Sequence, residues 1–347
     1  LRALVDDAWE RPYGVPDPPY VGLGVFGPEA EGMLFGRGDD LARLGEELVA
    51  RRVLVLQGVS GSGKSSLAVA GLAPWLAKHA ASRGRDVRTV VVRPSADPDA
   101  SLLAALPELE GGLPALVASC EERGLDLVVV CDQLEELVTQ ASPEKRERFV
   151  ALLADAPRLP PSAPVFVVGT LREDFTSTLL AIEPLGERLR DALRFVGAPT
   201  TSAVRDIVEQ PAALSSVRVD GAAEVAAEVQ AALREGEGRL PLVALALASW
   251  WATREGGVLT YASFRRLGGV KKIFADLADG VFLGLDERAR GEARAALVEL
   301  CLDGRTKARV ARALLRERAR DAQAFDRAIA AFEGRGLLIE TAGSIEV

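Results

Sequence analysis

Residues 58–66 read Gly58-Val59-Ser60-Gly61-Ser62-Gly63-Lys64-Ser65-Ser66, with the types and spacing of a phosphate cradle: glycine, four residues, glycine, lysine, serine. Glycines let a backbone approach phosphates without a Cβ clash. The amides of the loop, including those of Ser60, Gly61, Ser62 and Gly63, and those of the helix start at Lys64, Ser65 and Ser66, point at an anion. Lys64 reaches the β- and γ-phosphates and the Ser65 hydroxyl takes a Mg²⁺ position. A chance Gly/Ser turn carrying a lysine is the plain alternative. The flanks weigh against it: Val53-Leu54-Val55-Leu56 before the loop is a buried-strand run, and Ser65 to Leu72 after it is Ala/Leu-rich and helical.

Five further positions carry chemistry in that setting. Asp132 ends the strand-like stretch from Leu125, directly after four hydrophobes, and is placed to hold Mg²⁺ through water. Gln133 follows it where many P-loop ATPases carry a Glu, and can orient water without taking a proton. Glu135 and Glu136 are the nearest carboxylates for that task, with a solvated helix N-terminus as their plain alternative. Together these residues predict slow hydrolysis. Arg172 follows another strand, on the ligand side of an open sheet, where a guanidinium can sense a γ-phosphate. Its plain alternative is an ion pair with Glu173 or Asp174. His79 reads as an idle surface residue and Trp250-Trp251 as core. The basic run from Arg305 to Arg320, interrupted by Glu317, reads as a solvated helix face more readily than a DNA contact.

These residues need strands to carry them. Val87–Val92, Leu125–Asp132 and Ala163–Thr170 read as strands, with a short fifth at Phe195–Gly197, and helical stretches between them. The alternation predicts an α/β fold: a parallel sheet with helices on both faces. Residues 1–33 read as a Pro/Gly-rich entry segment and 34–200 as the P-loop NTPase domain. After about residue 200 the strand runs stop. Residues 201–280 read as a helical lid domain and 281–347 as a winged-helix-like region, closing on a strand and turn from Gly334 to Ala342.

The 347 residues suit two or three domains. A net charge of −8 disfavours nucleic acid as a partner. Three dispersed cysteines and a single histidine argue against a zinc site and a disulfide framework, which fits a cytoplasmic protein. The longest apolar run, Leu240 to Ala252, is too short to span a bilayer. A first residue of Leu rather than Met suggests a fragment of a longer chain.

The ordered set of motifs resembles the STAND class of signalling P-loop NTPases, specifically the bacterial group called novel STAND NTPase 1. Pro19-Tyr20-Val21-Gly22-Leu23 and Phe35-Gly36-Arg37 resemble its entry pattern. Gly58 to Ser66 resemble its phosphate loop, Val130 to Leu137 its DQ-x-EE segment, Thr170 to Phe175 its TLR-x-DF segment, and Leu240-Pro241-Leu242 its lid-helix start. The resemblance implies ATP/ADP and Mg²⁺ as cofactors, with adenine rather than guanine. It implies Arg37 near the base and ribose, Arg172 as sensor arginine, and Pro241 on the adenine. It further implies a switch that holds ADP when closed, exchanges it for ATP on a signal, opens and forms homo-oligomers, with sensor and effector domains on the same full-length chain. This sequence departs from the pattern at Gly24, Gly38 and Leu134, and has no histidine after His79 to serve as a winged-helix phosphate ligand. Two other readings stand beside the switch. One is a DNA-handling ATPase or transcription regulator using the C-terminal winged helix; the other is a turnover enzyme, a small-molecule kinase or constitutive ATPase. Gln133 speaks against fast turnover.

Overall fold

Val/Leu-rich runs separated by helices fold into one parallel sheet. The computed structural model describes residues 19–20, 33–234, 240–301, 310–334, 337–341 and 344–346. The strands are β1 (Val53–Gly58), β2 (Asp86–Val92), β3 (Leu125–Cys131), β4 (Val165–Arg172) and β5 (Leu193–Phe195), in the order β2-β3-β4-β1-β5. All neighbours pair in parallel. The three central strands are apolar on both faces, as a strand covered on both sides requires. Val53, Val55, Leu127, Val129, Val165 and Val167 pack on one side. That side is covered by α3 (Pro98–Ala105), α4 (Gly112–Glu122) and α5 (Glu147–Asp155). Leu54, Leu56, Val128, Val130, Phe166 and Val168 pack on the other side, with α1 (Gly38–Arg51) and α2. The last of these follows the loop and runs continuously through Lys64–Ser66, Leu67–Leu72 and Ala73–Ala81, its middle part wound as a π-helix.

The register fixes which strand ends meet. Gly58 lies opposite Arg172, and Cys131 lies opposite both Gly169 and Val92. The C-terminal tips of β1, β4, β3 and β2 therefore form one rim, the edge at which open α/β sheets hold ligands.

Beyond the sheet, α6 (Thr201–Leu214), α7 (Ala222–Arg234), α8 (Leu240–Trp251) and α9 (Gly269–Gly284) share a core around Trp250, Trp251 and Phe264. Both tryptophans are core residues, as the sequence indicates. Strands do not stop at residue 200, contrary to expectation. Three-residue strands β6 (Arg218–Asp220) and β7 (Val258–Thr260) pair in parallel. Strands this short, set against turns, leave no periodic trace in the sequence. Likewise β5 is Leu193–Phe195 rather than Phe195–Gly197. The chain then runs α10 (Glu287–Cys301), β8 (Val310–Ala311), α11 (Arg312–Arg318), α12 (Ala322–Glu333), β9 (Ile339–Thr341) and β10 (Ser344–Glu346), with the strands ordered β8-β10-β9. Strand β9 falls within the Gly334–Ala342 stretch where the sequence placed a strand and turn, and its antiparallel partner β10 lies beyond it.

Tyr20, in the entry segment, is tied to the helical region: its hydroxyl donates to the Val208 carbonyl at 2.7 Å, and its ring meets Trp251 edge-on. His79 is half-buried, and its ring stacks on Trp75, centroids 5.5 Å apart. Pro12 to Pro18, Val21 to Leu23, Gly24 and residues 302–309 of the basic run lie outside the described residues. No single helix is long and apolar enough to cross a membrane among the described residues.

Candidate functional site

The loop between β1 and α2 turns on glycines in the left-handed region. Gly61 has φ +74° and Gly63 φ +89°, where a side chain would be strained. Inside the loop, Lys64 is buried, and its ammonium donates to the carbonyls of Gly58 at 2.9 Å and Val59 at 2.7 Å. Burial lowers its pKa from the ordinary lysine value, partly offset by the nearby charge of Glu135. The Ser62 hydroxyl is buried with no hydrogen-bond partner, a polar atom the loop leaves over. Ser60 and Ser66 flank this turn, half-buried.

Next to the loop, Asp132 is 2% exposed at the tip of β3. Its Oδ1 accepts from the Ser65 hydroxyl at 2.6 Å and from the Thr170 hydroxyl at 2.7 Å. Thr170 also accepts from the Gln133 amide at 2.9 Å. That bond steadies Gln133 at φ +61°, an uncommon conformation for a residue with a Cβ. Hydroxyl and carboxylate oxygens are the hard donors that suit Mg²⁺. No group of three or more His, Cys, Asp or Glu gathers among the described residues, so a cation here would depend on water and phosphate oxygens for the rest of its shell.

The two glutamates are not solvated, as their plain alternative had them. Glu135 is 4% exposed and Glu136 7%. They also part ways. Glu135 accepts from the Arg172 amide at 3.2 Å and interacts electrostatically with Lys64. Burial is the largest influence on its carboxyl pKa and raises it. Glu136 accepts from the Ser95 amide at 2.9 Å, and Ser95 is itself at φ +58° in the loop after β2. The structure thus brings Glu135, and not Glu136, towards Lys64.

Arg172 grips Asp174 through two nitrogens, at 2.9 and 3.1 Å, and lies over the Phe175 ring. It also contributes to the field at Lys64 and at Glu135. Arg37, buried just before α1, donates to the carbonyls of Ser62 at 3.3 Å and Gly197 at 2.8 Å and pairs with Asp40. It joins the phosphate loop to the segment after β5. Pro241 is the second residue of α8, and Leu240 before it comes within 3.4 Å of where a Cβ on Gly63 would stand. Leu134, the departure from the DQ-x-EE pattern, packs its side chain against Gly169.

Sequence reading missed Thr170 and Arg93. Arg93, directly after β2, donates to Oδ2 of Asp132 at 3.1 Å. Thr170 stood inside a strand and Arg93 after one, and only the register places both beside Asp132.

The sequence has no match among curated proteins. Among solved structures, the chain is similar to the Aeropyrum pernix ORC1 protein in complex with DNA, at 19% identity over 90% of this chain and 88% of that one, with a TM-score of 0.52. It is similar too to the Aeropyrum pernix ORC2 protein in ADPNP–ADP complexes, at 17% identity over 89% of this chain and 88% of that one, with a TM-score of 0.50. At such identities the likeness is one of fold. The family model described as Novel STAND NTPase 1 matches residues 19–347. The ordered rim of phosphate loop, Asp132 and Arg172 fits that match, and the chain belongs to the Novel STAND NTPase 1 family.

Proposed function

We propose that the chain is a switch set by ATP and ADP, with hydrolysis slow enough to act as a timer. The observation that carries this reading is the abutment of α8 on the phosphate loop, Leu240 against Gly63. What the loop holds then sets where the helical region can sit. In this reading Gly58 to Ser66 bind the phosphates, Lys64 neutralises them, and Ser65 and Asp132 hold Mg²⁺. The cation, when bound, would offset charge on the β- and γ-oxygens. Gln133 orients water, Glu135 is the nearest group able to take its proton, and Glu136 supports the loop after β2. Arg172 leaves Asp174 for the γ-phosphate. Arg37 and Pro241 flank the nucleoside side. ATP and ADP shift the population between open and closed forms through a difference in affinity of a few kcal/mol. Homo-oligomerisation, and sensor and effector domains on one full-length polypeptide, belong to the same proposal.

The DNA-binding alternative loses ground on one count. In the C-terminal region Arg312 pairs with Glu333 and Glu340, Arg316 with Asp326, Arg318 with Glu299 and Arg327 with Asp286. These guanidiniums already have acidic partners. Fluorescent ADP and ATP-analogue titrations, alongside single-turnover ATP hydrolysis, test the proposal. Binding weakened in Lys64→Ala, with wild-type hydrolysis well below roughly 1 s⁻¹, supports a switch; fast partner-free turnover overturns it.

A further inference from the structure

Asp132 is held from two directions. Oδ1 takes the hydroxyls of Ser65 and Thr170. Oδ2 takes Arg93, whose Nε and one terminal guanidinium nitrogen each lie 3.1 Å away. The placement is built into the sheet: Val92 pairs with Cys131, and the Asp132 amide donates to the Val92 carbonyl at 2.9 Å. The residues that follow these two strands are therefore neighbours by register. The partners differ in environment, the Asp132 side chain being 3% exposed and that of Arg93 58%.

A hydrated divalent cation engages a carboxylate through the O–H groups of its waters, which need free oxygen lone pairs. Oδ1 already accepts two hydroxyls, so Oδ2 is the oxygen that remains. A guanidinium on Oδ2 takes those lone pairs and repels a dication. We propose that Arg93 is a positioning residue that gates the cation: Mg²⁺ engages Asp132 as Arg93 swings off Oδ2, a movement its exposed side chain permits. Arg93 thereby sets the Mg²⁺ concentration at which nucleotide is gripped. This rests on the reading of Asp132 as the Mg²⁺ acid.

The test uses the full chain, with Mg²⁺ and Mn²⁺ as probes and no turnover. Mn²⁺ binding to the ADP complex is followed by electron paramagnetic resonance, and the Mg²⁺ dependence of fluorescent ADP affinity by titration. Arg93→Ala should raise the apparent cation affinity about fivefold, the scale of one partly exposed ion pair, and leave ADP affinity in EDTA unchanged. Arg93→Lys, which keeps the charge and loses the fork, should give a smaller rise. Cation affinity unchanged or lowered in Arg93→Ala overturns the gate. So does a loss of ADP affinity in EDTA, which would put Arg93 on the phosphates. Asp132→Asn separates the two layers. If it abolishes the Mg²⁺ effect while Arg93→Ala behaves as wild type, the gate alone falls. If wild type and Asp132→Asn are equally indifferent to Mg²⁺, the cation reading falls and takes the gate with it.

Discussion

At the scale of the residue, the buried charges make the sharpest predictions. Lys64→Ala should weaken ATP and ADP binding by roughly one to two orders of magnitude, the worth of one or two charge-assisted hydrogen bonds, as calorimetry can measure. Glu135 carries a different signature. Burial raises its carboxyl pKa above the ordinary 4.5, so the ionised form costs more in the folded chain than in the unfolded one. Stability tied to the protonated form is present below about 4.5 and is lost as pH rises through the higher folded value. Glu135→Gln escapes that loss. Its melting temperature should exceed that of wild type at pH 8, and the gap should close as the pH falls towards 4.5. A gap that is constant or widens in acid would contradict the assignment. A carboxylate kept at a stability cost beside a phosphate loop is what a site maintained for function looks like.

At the scale of the element, the sheet aligns chemistry that sequence leaves scattered. Phosphate loop, Asp132 and Arg172 were legible because each sits at a strand end with a recognisable run before it. Thr170 was not, because a threonine inside a Val-rich strand looks like any β-former; only its pairing shows the hydroxyl at 2.7 Å from Asp132. Arg93 hid for the same reason. The opposite fates of Glu135 and Glu136 follow from a single helical turn after Gln133, below the reach of any periodicity. Thr170→Val keeps the shape and removes the hydroxyl, leaving the Gln133 amide without its acceptor. It should cost about 1–3 kcal/mol in denaturant unfolding and weaken the Mg²⁺-dependent part of nucleotide binding. A variant with unchanged stability and unchanged Mg²⁺ response would remove Thr170 from the site. The entry segment is a second case. Its prolines and glycines leave no periodicity to show that Tyr20 is anchored on Val208 and Trp251. Tyr20→Phe should cost about 1 kcal/mol through the lost hydroxyl bond, and Tyr20→Ala more through the cavity.

At the scale of the whole molecule, the five-stranded sheet, the helical region and the C-terminal elements follow in the order the motifs indicated, because each has its own apolar core. The small sheet of β6 and β7 escaped notice, being three residues a side. The acidic balance of −8 and the paired arginines of α11 and α12 predict no salt-dependent DNA shift by this chain at low salt. A shift that weakens steeply with added salt would revive the DNA-handling alternative. The central claim is that nucleotide identity sets the state of the molecule. Its most direct test is to denature the purified protein, identify the nucleotide released, and measure how fast the native protein exchanges it, with Lys64→Ala as control. The switch predicts near-stoichiometric ADP that exchanges slowly, and none in Lys64→Ala. Protein free of nucleotide that turns over ATP rapidly without a partner would contradict it.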